Sequence, residues 1–276
     1  MTTEDAEDHR PEQLSDDLAL AFRLADEADA ITLKRFRSLD LVVETKPDLT
    51  PVSDADRATE DQLRNTLARE RPDDGIIGEE FGTDVVGSTS RRWVLDPIDG
   101  TKNYVRGVPV WATLIALMVS DDVAVGVVSA PALGMRWWAS AGRGAWTGHH
   151  PSTGRRLSVS HVGAIEDASV SFSELTDPAW QTSGTEAGFR RLLQRSWRSR
   201  AYGDFWSHLL VAEGAVDIAV EPELSSWDIA ALVPIVTEAG GSITGIDGRP
   251  AMASGSAVST NGRLHAEVLD ELHRRS

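Results

Sequence analysis

Two carboxylates, Asp96 and Asp99, stand three residues apart in the run Trp93-Val94-Leu95-Asp96-Pro97-Ile98-Asp99-Gly100-Thr101-Lys102. With the backbone carbonyl of Ile98 between them, they form a hard-oxygen set suited to Mg²⁺ or Mn²⁺. The apolar residues 93–95 read as a short buried strand that delivers both aspartates to its end, and Pro97 fixes the backbone between them. Gly100 permits a sharp turn. If a helical turn starts there, the N–H groups of Gly100 and Thr101 face outward and can hold a phosphate oxygen. The same residue types also build ordinary surface turns. Two companion segments add weight: Gly78-Glu79-Glu80 after the apolar pair Ile76-Ile77, and Trp227-Asp228-Ile229-Ala230-Ala231 followed by Glu238-Ala239-Gly240-Gly241.

The elements that must position these groups can be read from periodicity. Residues 1–14 are acidic and poor in apolar side chains, and read as a disordered tail. Ser15 is placed to cap a helix carrying Leu18, Phe22, Ala25, Ala28 and Ile31 on one face to about Arg37. Residues 39–44 alternate like an edge strand. Residues 45–54, with two prolines, read as a loop. Ser53 or Asp54 caps a second helix. Ile76-Ile77 opens a strand, and residues 82–92 form a polar loop. In extended backbone Glu79 and Glu80 point opposite ways, so only one faces the aspartates. Residues 113–119 and 123–129 form a hairpin, and residues 136–139 and 144–146 extend it into an antiparallel meander. Its Trp137, Trp138 and Trp146 read as core or dimer surface. An internal boundary near residue 155 separates an N-terminal half, 15–155, from a C-terminal half, 156–276. In the latter, residues 170–172 start a strand, 177–187 are a loop and 189–195 a short helix. Asp204 is placed to cap a helix to about Ala212. Residues 216–220 are a strand, and one amphipathic helix starts at Trp227-Asp228. Strands at 242–245 and 257–260 and a helix at 262–274 close the chain. Alternating strands and helices in both halves imply a layered α/β architecture.

Composition excludes several functions. The 276 residues include 9 Trp and are 41% hydrophobic, enough for a sizeable core. The net charge of −16 (27 basic against 43 acidic residues) opposes a nucleic-acid or anionic-membrane partner. A phosphate ester would meet the same repulsion unless cations gathered at the site. With no cysteine, disulfides and thiolate chemistry are absent. The acidic N-terminus lacks a hydrophobic signal region, and residues 107–120, though uncharged, are too short to span a bilayer. A cytoplasmic location is expected. His149, His150 and His161 show no metal-ligand spacing and read as surface residues. The chain has no Walker A loop, and where a haloacid-dehalogenase-type enzyme needs D-x-D at its strand end this chain has D-P-I-D.

Taken together, Gly78-Glu79-Glu80, D-P-I-D-G-T at residues 96–101 and Trp227-Asp228 resemble the inositol monophosphatase superfamily of Mg²⁺-dependent phosphatases, from about Lys46 to Asn261. The resemblance implies the α-β-α-β-α sandwich of the sugar phosphatases with the site between the halves. It implies hydrolysis of a small phosphate monoester with two to three Mg²⁺ ions, Mn²⁺ being a substitute. Glu79, Asp96 and the Ile98 carbonyl would hold the first ion, and Asp96, Asp99 and Asp228 the second. A third, weaker ion would sit near Glu79. Glu79 and Thr101 would polarise the attacking water, with Asp54 accepting from Thr101; Asp54 can also be a plain helix cap. Gly100 and Thr101 would hold the phosphate, and Lys46 would add positive charge nearby, unless it is simply a solvated loop lysine. Relatives place substrate contacts where this chain has Gly203, Asp204 and Glu221. Those acids suit either a cationic amine or imidazole, or sugar hydroxyls. A homodimer is implied, with the Trp-rich meander as a candidate surface.

The segments T-K-P-D-L-T-P-V-S-D-A-D, G-E-E-F-G, D-P-I-D-G-T-K-N-Y-V-R-G-V-P-V-W, S-A-P-A-L and R-A-Y-G-D-F look most like the bacterial, especially actinobacterial, histidinol-phosphate phosphatases of the superfamily. L-histidinol phosphate is thus the expected substrate. Inositol monophosphate or another small polyol phosphate is the alternative. An inactive metal-binding regulator would lack a ligand, and here Glu79, Asp96, Asp99, Thr101 and Asp228 are all in place.

Overall fold

Nine residues of one strand, β5, form the axis of the molecule, and their burial explains the rest. In this computed structural model, which describes residues 10–47, 49–84 and 90–274, the chain begins with α1 (Arg10–Arg35), the short pair β1 (Val43–Thr45) and β2 (Pro51–Ser53), and α2 (Asp54–Glu70). Next come β3 (Gly75–Gly78), β4 (Gly82–Asp84), β5 (Arg91–Asp99), α3 (Thr101–Val105), β6 (Ala112–Val119), β7 (Asp122–Ala130), β8 (Met135–Ser140), β9 (Ala145–Thr147) and β10 (Arg155–Arg156). The remainder is β11 (Ser169–Ser171), α4 (Ala179–Thr182), α5 (Glu186–Arg195), β12 (Arg198–Arg200), α6 (Asp204–Ala212), β13 (Ile218–Glu221), α7 (Ser226–Ala230), α8 (Leu232–Glu238), β14 (Ser242–Thr244), α9 (Ala251–Ser254), β15 (Ala257–Thr260) and α10 (His265–His273).

An eight-stranded sheet has the order β10-β9-β8-β7-β6-β5-β3-β4, and a five-stranded sheet the order β12-β11-β13-β15-β14. In β5, β6 and β7 both faces are apolar, because each faces a layer of helices. Leu20, Leu24 and Ala28 of α1 and Leu63 of α2 pack on Trp93, Leu95 and Ile115. On the opposite face Val94, Leu114 and Trp137 meet Phe205, Leu209, Ile229 and Ile235 of α6, α7 and α8. Those helices separate the two sheets, and α5 and α10 cover the far side of the second. The order is α-β-α-β-α, as the family resemblance implied.

Several local expectations need correction. The first helix begins at Arg10 rather than Ser15, so residues 10–14 are helical; 1–9 lie outside the described residues. The segment 45–54 is not all loop: Pro51–Ser53 pairs antiparallel with Val43–Thr45, a two-stranded edge where proline is tolerated. Gly82–Asp84 pairs with β3, whereas residues 85–89 of the expected polar loop lie outside the described residues. Residues 177–187 hold the helical turn α4 and the start of α5. The single helix expected from Trp227 is two, meeting at Ala231. Pro234 has no N–H for the Ala230 carbonyl four residues back, and its ring crowds that carbonyl.

Trp137 and Trp138 are buried inside the protomer, on opposite faces of the first sheet. Trp137 Nε1 donates to Glu213 (2.6 Å), and Trp138 meets the Phe22 ring edge-on. These two side chains therefore cannot be a dimer surface.

Candidate active site

The first turns of four helices converge on the end of β5. Residues three apart in a regular strand face opposite sides. Here the register of β5 against β6 shifts between Asp96 and Asp99, and the two carboxylates come to one side. One carboxylate oxygen each from Asp96, Asp99 and Asp228 lies within 4.8 Å of the others. Asp228 is the third residue of α7, and its Oδ2 accepts from the Ser225 N–H (2.7 Å), closing a capping box. Its cap role and its membership of the cluster coexist, because a carboxylate has two oxygens. Asp99 Oδ2 accepts from the Phe205 N–H at the start of α6 (2.7 Å). That bond ties the second half of the chain to the first.

Burial pushes the Asp96 carboxyl well above the usual range, and Glu79, Asp99 and Asp228 reinforce the shift. Asp99 is raised in the same way, by burial and then by Asp204 and Asp228. Burial takes Asp228 to about 6, partly offset by the Ser225 N–H. The Oδ1 of Asp96 is buried with no hydrogen-bond partner among the described residues. An orphaned carboxylate oxygen among like charges fits a divalent cation held by Asp96, Asp99 and Asp228.

A stability prediction follows. These carboxyls bind protons more tightly in the folded chain than in the unfolded one. The metal-free fold therefore loses stability as pH rises from their ordinary pKa of about 4. The loss continues through about 6 for Asp228, 7 for Glu80 and 8 for Glu221. In EDTA, Tm at pH 8 should fall several degrees below that at pH 6, and Mg²⁺ should raise Tm more at pH 8. Thermal melts across this grid check it; an equal Mg²⁺ increment at both pH values would refute it.

Glu79 is not in this trio of converging oxygens; it is paired, with Glu80, to Lys46. The Lys46 Nζ donates to Glu79 Oε1 (2.7 Å) and Glu80 Oε1 (2.6 Å). Burial disfavours its charge, but the two carboxylates outweigh burial and raise its pKa. The expectation that Glu79 and Glu80 diverge fails because β3 ends at Gly78 and both residues lie in a turn. Glu80 does not face solvent: its side chain is 4% exposed.

The aspartate that serves Thr101 is not Asp54. Asp54 Oδ2 pairs with Arg35 (2.7 Å), away from Thr101. Thr101 Oγ lies 3.3 Å from Asp56 Oδ1 and 2.9 Å from the Ile98 carbonyl. Ser53, not Asp54, caps α2, and Asp56 is the third residue of the helix, with Oδ2 accepting from the Ser53 N–H (2.8 Å). Asp56 is thus placed as Asp228 is: one oxygen closes a capping box and the other serves the site. The S-x-x-D spacing of Ser53 and Asp56 was the available signal.

A cleft of about 290 Å³ opens beside the cluster, with Asp99, Gly100, Thr101, Asp204, Glu223 and Asp228 in its wall. Gly100 has φ 82°, and a Cβ there would sit 3.0 Å from the Val110 carbonyl oxygen and 3.2 Å from Asp204 Oδ2. Asp204 Oδ2 accepts from Asn103 Nδ2 (2.9 Å), and burial lifts its carboxyl to about 6. It is not the cap of α6; that position is Gly203. Of the expected substrate contacts, Gly203, Glu221 and Lys46 are not in the cleft wall. Gly203, at φ 84°, turns the chain into α6. Glu221 is 5% exposed behind Ser173, whose Oγ donates to it (2.7 Å). Glu223, two residues on, is the acid exposed to the cleft. Sequence reasoning missed Asp56, Ser173, Glu223 and His208.

Among the described residues, no helix is long and apolar enough to cross a membrane. Residues 13–276 match the model of the inositol monophosphatase family. A Streptomyces coelicolor protein named histidinol-phosphatase is 58% identical over 264 residues, 94% of this chain and 98% of its own. A Mycobacterium tuberculosis protein of the same name is 57% identical over 258 residues, again 94% of this chain and 98% of its own. The crystal structure of the extragenic suppressor protein suhB from Bartonella henselae superimposes with a TM-score of 0.85 at 26% identity, covering 94% of this chain and 98% of that one.

Proposed function

The chain belongs to the inositol monophosphatase family, and from that premise we propose that this phosphatase hydrolyses L-histidinol phosphate to L-histidinol and phosphate with the help of Mg²⁺. The observation that carries the substrate is the near-full-length identity of 58% and 57% to two proteins named histidinol-phosphatase. The acids Asp204 and Glu223 in the cleft wall are compatible with it, since carboxylates accept from an ammonium or an imidazole N–H.

Asp96, Asp99, Asp228, the Ile98 carbonyl and Glu79 would hold two to three Mg²⁺ ions, with Mn²⁺ as a substitute. When bound, the ions supply Lewis acidity and neutralise charge on the phosphoryl and leaving oxygens. This chain's own residues do the positioning. The N–H groups of Gly100 and Thr101 hold phosphoryl oxygens at the start of α3. Thr101 Oγ, lying between the Ile98 carbonyl and Asp56, orients the attacking water, and Asp56 is the acceptor at the end of that relay. The water oxygen bonds to phosphorus as the bond to the alcohol oxygen breaks; the water loses a proton and the alcohol gains one. Phosphoryl transfer asks little else of a protein than such placement and charge. Lys46 fixes Glu79 and Glu80 at the rim. A homodimer and a cytoplasmic location are part of this reading, carried over from the family resemblance and the composition.

Phosphate release from L-histidinol phosphate and from myo-inositol 1-phosphate, each with Mg²⁺ and with EDTA, tests it. Histidinol phosphate should lead by about 10²-fold in kcat/KM, the scale of a pocket reading polar groups, with little turnover in EDTA. A lead for inositol phosphate would overturn the substrate assignment and leave the phosphatase assignment intact.

A further inference from the structure

His208, in the cleft wall, has no part in this reaction. It lies on α6 one helical turn beyond Asp204, so both sit on the same side of the helix, and both line the cleft. Its ring is buried, 1% exposed. Nδ1 is 2.7 Å from Ser259 Oγ on β15. Nε2 is buried and has no hydrogen-bond partner among the described residues. Most buried histidine nitrogens have a partner, because a bare nitrogen in the interior is costly. An orphan on a ring that borders a ligand cleft points instead to a partner that arrives with the ligand.

The surroundings restrict that partner. Asp204, Glu223 and Lys102 bring charge to the cleft wall, and Phe205, Leu224 and Leu232 bring apolar surface beside His208. An amphipathic leaving group, with a cationic end and a flat polar ring, matches this mixed lining. Burial holds the His208 ring at a pKa of about 4, so at neutral pH it is uncharged, with one N–H and one bare nitrogen. The Ser259 hydroxyl can serve Nδ1 in either tautomer, leaving Nε2 as donor or acceptor. A second imidazole complements both cases, since it too carries one N–H and one bare nitrogen.

We infer that His208 Nε2 hydrogen-bonds the imidazole of the leaving group, and that His208, held by Ser259, is a specificity-determining residue of this enzyme. The inference rests on the L-histidinol phosphate reading.

The test compares wild type, His208→Leu and His208→Gln on L-histidinol phosphate and on 2-aminopropyl phosphate, which keeps the ammonium and phosphate but lacks the ring. Thermal melts accompany each variant. His208→Leu should lose about 30-fold in kcat/KM on L-histidinol phosphate, mostly through KM, and less than about 2-fold on the ringless ester; the coupling isolates the ring contact. His208→Gln should recover part of the loss, because its amide offers both a donor and an acceptor. Equal losses on the two esters in a folded variant, or no loss on either, would overturn the inference. If His208→Leu does not fold, His208→Gln decides: a loss confined to the ringed ester supports the contact, and equal losses or none overturn it. A wild type that does not prefer the ringed ester would instead overturn the substrate reading itself, and the inference with it.

Discussion

Asp96→Asn should abolish phosphatase activity while making the metal-free protein more stable. Asp96 is 1% exposed in the carboxylate cluster, and one of its oxygens has no partner among the described residues. Replacing a carboxylate by an amide weakens cation binding there, and metal-assisted charge stabilisation is worth several kcal/mol in the transition state. At about 1.4 kcal/mol per tenfold, kcat/KM should fall by about 10³-fold or more. The same substitution removes a buried charge that burial, Glu79, Asp99 and Asp228 all disfavour, and gives Asp228 an N–H donor. In EDTA at pH 8 the variant should melt several degrees above wild type, since 1 kcal/mol corresponds to about 2–4 °C in a chain of this size. Mg²⁺ should no longer raise its Tm. Initial rates and melts with and without Mg²⁺ are sufficient. Retention of a tenth of wild-type activity would remove Asp96 from the site, and a lower Tm in EDTA would contradict the repulsion argument.

The second large effect separates two aspartates two residues apart. Asp56→Asn should cost about 10²-fold in kcat, in the range of a positioned proton acceptor, because it removes the charged partner of Thr101 Oγ. The amide oxygen can still accept from the Ser53 N–H, so helix α2 keeps its cap and Tm should change little. Asp54→Ala should leave kcat within about 3-fold. It breaks a partly exposed ion pair with Arg35, worth no more than about 1 kcal/mol. A reversed pattern, with Asp54 essential and Asp56 dispensable, would show that the Thr101 relay runs elsewhere. Thr101→Val combined with Asp56→Asn should cost little more than Asp56→Asn alone if the two act in one chain.

Much of this site was legible because its chemistry is local. Asp96, the Ile98 carbonyl, Asp99, Gly100 and Thr101 lie within six consecutive residues, and the turn they need is written in Pro97 and Gly100. The amphipathic face of α1 and the apolar runs of β6 and β7 announce their burial through simple periods. The layered fold followed from the family resemblance of those motifs.

Other features turn on which oxygen faces which neighbour, and no period encodes that. Asp54 and Asp56 both suit a helix start, and only the placement of β2 against α3 decides that the latter aspartate meets Thr101. Glu221 and Glu223 flank one proline; the strand β13 buries the first behind Ser173 and leaves the second at the cleft. Trp137 and Trp138 read equally well as interface or core until α1 and α6 close over the two faces of the sheet. By itself, then, the sequence determined the family, the layered architecture and the acidic motifs, because these rest on composition, period and contiguous residues. The tertiary structure alone decided which carboxylates converge and which acids line the cleft. It also decided that His208 keeps a nitrogen unpaired among the described residues, because those outcomes depend on contacts between segments far apart in the chain, Asp96 and Asp228 being 132 residues apart.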